Sequence, residues 1–141
     1  MGHKPNTHQV YEVMLSADAS TTAQAILDWL TEMRNRQEDA WKIVTEEDDK
    51  VQDFLHEMEF EANSKKRAVI STRLHDSRCR RREAKDTAKK LKPLAEFVRE
   101  AQNRNLIKMI KKMQVDLKSA EEYVNSKRVY KPRGVKDGDG E

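Results

Sequence analysis

Between Pro5 and Pro132 the chain contains no glycine and a single proline, Pro93. An interior with so little turn punctuation favours long uninterrupted elements over a fold built from many tight turns. The length, 141 residues, fits one domain with a single core. Composition narrows this further: 38% of residues are charged, 36% hydrophobic and 6% aromatic. That is too polar for a thick globular core, yet the apolar residues recur too regularly for a disordered chain. The combination predicts an all-α fold of long amphipathic helices sharing thin seams, as an antiparallel three-helix bundle or an elongated coiled-coil hairpin.

The seams can be followed residue by residue. Ile26, Leu30, Met33, Ala40, Val44, Val51, Phe54 and Met58 recur at spacings of three and four, with polar interruptions at Gln37 and Glu47. This marks a long first helix that starts near Ser20, Thr21 or Thr22, whose hydroxyls can accept from first-turn amides. A second seam runs Ile70, Leu74, Ser77, Arg81, Ala84, Ala88, Leu91; its two polar members and two alanines make it weak and dependent on a partner helix. Between the two, Ala62-Asn63-Ser64 reads as a turn, because Asn and Ser compete for backbone hydrogen bonds. Pro93 either opens a third helix or kinks a continuous one. The apolar phase slips by one across Asn103-Arg104-Asn105, and a regular seam then runs Leu106, Ile110, Met113, Leu117, Ala120, Val124. The expected organisation is a weakly structured segment over 1–19, in which Val10, Val13 and Leu15 suit a short element, a helical bundle over 20–129, and a flexible tail over 130–141.

Along this helical frame the charge reverses. Residues 38–61 hold ten acidic residues against Lys42 and Lys50, and residues 65–92 hold twelve basic residues against three acidic ones, although the whole chain carries only +3. Oppositely charged segments either pair with each other or each face a partner of opposite sign. At 100° per residue Arg67, Arg78, Arg82, Lys85 and Lys89 fall on one stripe, with Arg81 and Lys92 beside it and the seam about a quarter turn away. With Arg80 added, this stripe is the candidate contact for a nucleic acid or nucleoprotein complex. Guanidinium groups present paired donors to phosphate, and the contact would be to backbone, since no recognition-helix, zinc-finger or aromatic RNA-sheet signature is present. Lys65-Lys66-Arg67 and Arg80-Arg81-Arg82 also resemble a two-part nuclear import signal, although such signals are read in extended chain.

The acidic half supplies the alternative surface: Glu46, Glu47, Asp49, Asp53 and Glu57 form a rod of carboxylates that can imitate a nucleic-acid backbone, as an adaptor or inhibitor would. No calcium-loop spacing occurs there, and the single Asp53/His56 pair is half of what a dinuclear bundle site needs. Self-association through the Leu106 to Val124 seam, giving a homodimer, is a further alternative. Catalysis is not expected: phosphate-cradling glycines and serine-nucleophile motifs are absent, the four histidines are scattered, and Cys79, flanked by arginines, has no base nominated beside it. Neither metal, cofactor nor small-molecule substrate is expected. Trp41 and Trp29 are expected in or beside the core. The absence of any long apolar run and of a signal-like start points to an intracellular protein without a membrane partner, cytoplasmic or, if it binds nucleic acid, in the nucleoid or nucleus.

Overall fold

A computed structural model describes residues 6–126, 129–130 and 132–134, with four helices and, among these residues, no strand. They are α1 (Thr7–Ser16), α2 (Ala19–Phe60), α3 (Ser64–Arg99) and α4 (Ala101–Asn125). Most of the tail expected over 130–141 lies outside the described residues, as do the side chains of Val10 and Val13. Within the segment expected to be weakly structured, α1 forms because Asn6 and Gln9 make a reciprocal capping box, with Asn6 Oδ1 accepting from the Gln9 amide at 2.8 Å and Gln9 Oε1 from the Asn6 amide at 3.0 Å. Its Met14 carbonyl accepts from Thr22 Oγ1 of α2 at 3.3 Å.

The 42 residues of α2 make a rod of roughly 63 Å. Both α3 and α4 pack along it, and they share few contacts with each other. Partners fall along α2 as numbers rise on the returning helices: Ser77 meets Glu47, Arg99 meets Gln37, and Glu121 meets Ser20. The molecule is therefore an antiparallel helical hairpin whose return limb is broken into two helices.

The turn lies at residues 61–63, where the sequence places it. Asn63 Oδ1 accepts from the Lys66 amide at 3.1 Å and so caps α3. The second break falls at Glu100, not among Asn103, Arg104 and Asn105. Glu100 is extended (φ −64°, ψ 134°), and Asn103 donates from Nδ2 to the Phe97 carbonyl at 2.9 Å, satisfying an acceptor left open at the end of α3. Pro93 sits inside α3, which continues past it despite the missing amide.

The core is a thin seam of small residues. Leu27, Ala40 and Val44 of α2 and Ile70, Leu74, Ala84, Ala88, Ala95 and Val98 of α3 are all buried, as is Ala23 near the start of α2, where Ser20 meets α4. The polar interruptions are buried too: Gln37, Glu47, and Ser77 at 0% exposure. At the start of α2 the buried residues are Ser20, Ala23 and Leu27, whereas Ile26 is exposed, so the seam there runs one position off the Ile26 phase that the spacing suggested. Trp29 and Trp41 are 53% and 45% exposed and do not pack in the core.

On α4 no residue is fully buried. Ile107, Ile110, Gln114, Leu117 and Glu121 are its partly covered face. Ile110 and Leu117 of the regular seam share this face, but the seam as a whole is centred about a sixth of a turn away, leaving Leu106, Met113 and Val124 exposed together with Met109. No helix among the described residues is long and apolar enough to cross a membrane.

Candidate polyanion-binding surface

The hairpin lays the acidic half of α2 against the basic half of α3, so the first question is how much of the charge is spent internally. The answer is three arginines, two on the flanks of the seam and one near the end of α3. On one side Arg81 Nε donates to Asp48. On the other, Arg80 Nε donates to Glu47 Oε1 at 3.2 Å. Further along, Arg99 reaches Glu38 at 3.4 Å and Gln37 at 3.1 Å.

Glu47 is the hub of this pairing. It is 4% exposed, unlike the other four members of the acidic surface, which are open to solvent. Its carboxylate accepts from Ser77 Oγ at 2.5 Å, from Arg80 at 3.2 Å and from Lys50 at 3.2 Å. The Ser77 hydroxyl is the largest influence holding its pKa below the ordinary value; burial opposes this, and Arg80 and Lys50 assist it. Glu47 thus belongs to the interior, as a buried anion with three donors. A second carboxylate works at the far end. Glu121 accepts from the Ser20 amide at 3.0 Å and from Ser20 Oγ at 2.5 Å, which lowers its pKa below the ordinary value. Asp18, the residue preceding α2, makes no side-chain cap. One open amide of the α2 N-terminus, that of Ser20, is thus served by α4, where the sequence had suggested local hydroxyls.

Outside these flanks the stripe keeps its charge. Among the described residues Arg67, Arg78, Arg82, Lys85 and Lys89 form no ion pair and no side-chain hydrogen bond. Arg78, Arg81, Arg82, Lys85 and Lys89 line a groove of about 520 Å³ beside Val51, with Asp48 and Asp86 as its only carboxylates. Arg67 is outside the groove, some 16 Å further along α3, and Arg80 points to the opposite flank. Glu46, Asp49, Asp53 and Glu57 likewise make no ion pair among the described residues and lie on one exposed face of α2. His56 faces Glu59 at 3.6 Å and not Asp53, and no group of three metal-binding side chains occurs among the described residues.

Cys79 is half-buried, and its sulfur lies 3.6 Å from His75 Nε2, one turn back on the same helix. That neighbour is visible as a four-residue spacing in the sequence. The pair sits on an open helix face and lines none of the clefts described here.

A feature the sequence did not suggest lies at the junction of α2, α3 and α4. Arg34, Arg99, Arg104, Lys108 and Lys111 surround a cleft of about 550 Å³ whose remaining walls are Leu27, Leu30, Thr31, Val98 and Ile107. Its residues come from three helices and are up to 84 positions apart, so no local pattern announces it. No protein family, curated protein or solved structure matches this chain.

Proposed function

We propose that the protein binds nucleic acid, or a nucleoprotein complex, through the α3 stripe, as a non-catalytic binding or regulatory factor. One observation supports this above the rest: five cations stay unneutralised although an acidic helix runs alongside them. Were the stripe there only to hold the hairpin together, the carboxylates of α2 would be expected to meet it. From Arg67 to Lys89 the stripe extends roughly 33 Å along α3, about the length of one duplex turn. Such a linear array suits a phosphate backbone and carries no means of reading bases.

Fluorescence anisotropy with labelled duplex DNA, single-stranded DNA and RNA, titrated with salt, tests the reading. On duplex DNA five phosphate contacts give a slope of log K against log salt of about −4.5. Arg78→Glu with Arg82→Glu should abolish binding and leave helicity intact. Absence of binding at low ionic strength rejects the proposal.

The exposed acidic face of α2 favours a second reading, an adaptor that offers Glu46, Asp49, Asp53 and Glu57 to a basic protein. Reversing Glu46, Asp49 and Asp53 to lysine separates the two: nucleic-acid affinity then stays or rises, whereas binding to a basic protein partner is lost.

A further inference from the structure

We infer that the cleft at the junction of α2, α3 and α4 is a binding site for a compact polyanion, a di- or triphosphate group, separate from the α3 stripe. Three properties of the cleft lead there. Its lining contains five cationic side chains and no carboxylate. Among the described residues Arg34, Arg104, Lys108 and Lys111 form no ion pair, and only Arg99 is engaged, with Gln37 and Glu38. The Nε of Arg34 is buried with no hydrogen-bond partner, an uncommon state for a buried polar atom.

The apolar walls sharpen the effect. Leu27 and Val98 are buried and Leu30 and Ile107 partly so, and the half-buried Arg34 lies among them, where its attraction for an anion is strengthened, whereas Arg99, Arg104, Lys108 and Lys111 are exposed around the cleft and are screened by water. Folding alone holds these like charges together, because the break at Glu100 starts α4 beside Arg34 and Arg99. A ligand with three or four negative charges on neighbouring oxygens relieves that repulsion at one place. A single phosphate is too small to answer the four cations that form no ion pair. A nucleic-acid backbone, with one charge per nucleotide along a line, matches the extended α3 stripe better than this compact recess. Inorganic polyphosphate and the phosphate tail of a nucleotide share the required chemistry.

The test is isothermal titration calorimetry of the full chain with sodium tripolyphosphate, and in parallel with ATP, at low and then physiological ionic strength. A saturable 1:1 isotherm with both probes is expected, together with a ligand-dependent rise in Tm. Equal affinities identify free polyphosphate as sufficient, and a tighter ATP isotherm identifies the nucleotide; either supports the site. Lys108→Gln with Lys111→Gln, both at exposed positions, should weaken binding at least tenfold. Without ligand the same variant should melt no lower than the parent, since it removes repulsion and no packing. Arg34→Met, which keeps the aliphatic stem, should weaken binding similarly. Arg82→Gln with Lys89→Gln, on the α3 stripe, should leave tripolyphosphate affinity unchanged while reducing nucleic-acid binding, so failure of one site is told apart from failure of the other. Non-saturating binding, or equal losses from the α3 and the cleft variants, overturns the inference.

Discussion

The two limbs that return along α2 are held by different means. α3 is fixed by burial: Ile70, Leu74, Ser77, Ala84, Ala88, Ala95 and Val98 are all removed from solvent, and the small side chains let the helix axes approach closely. α4 buries no residue completely and is held by a half-covered face and by the Glu121 carboxylate at the α2 N-terminus. The difference teaches that one helix can carry a cooperative packed limb and a lightly attached one, and that the cationic cleft sits where they meet.

Leu74→Ala should have the largest effect, a loss of about 3 kcal/mol in urea unfolding, against about 1 kcal/mol for the half-buried Leu117→Ala on α4. Similar losses from both would show the limbs to be equivalent. Ser77→Ala removes a donor from the buried Glu47 carboxylate and should cost about 2 kcal/mol by the same measurement. Acid separates the limbs more finely. Both Glu47 and Glu121 have folded-state pKa values below the ordinary 4.5, so each contributes stability that is present above that value and lost as pH falls through the lower, folded-state one. Hydrogen exchange followed over that range should show protection of α4 and the first turn of α2 declining with acid. Glu121→Gln should remove the acid dependence there and leave that of α3 unchanged. The smallest effect belongs to Arg81→Gln, whose pair with Asp48 is partly open to solvent; a few tenths of a kcal/mol (~0.5) is expected, and a loss beyond about 1 kcal/mol would make the charge pairing structural.

Much of the α2–α3 limb could be read from the chain, because its buried residues recur at spacings of three and four, although Ile26, Trp29, Trp41 and Ile43 on α2 and Val69 on α3 stay exposed. Ile70, Leu74, Ser77, Ala84 and Ala88 are all buried as the spacing implies, and Asn63 marks the turn. The break at Glu100 was not legible: no glycine or proline marks it, and the nearby Pro93 lies within a helix. The phase slip was visible but was placed three residues too late, at the asparagine that caps the break. On α4 the apolar residues cover more than one face, so periodicity alone points to the regular Leu106 to Val124 seam, of which only Ile110 and Leu117 are partly covered, whereas the rest of the covered face is Ile107, Gln114 and Glu121. The charged stripes were legible as composition on a helical wheel. Which charges are spent was not, since the pairing of Arg80 and Arg81 with Glu47 and Asp48 depends on the register between two helices.

The contact between Ser20 and Glu121 also decides how the rod answers mechanical load. It brings together residues 101 positions apart at the pole opposite the turn at 61–63, so tension applied at these two points pulls the limbs apart sideways. Bonds in that geometry are loaded one after another and not in parallel shear. The Glu121 latch yields first, α4 peels next, and the alanine-lined α3 limb resists last. A pulling trace should therefore show two ordered steps, with the cleft opening in the first while the α3 stripe remains intact until the second.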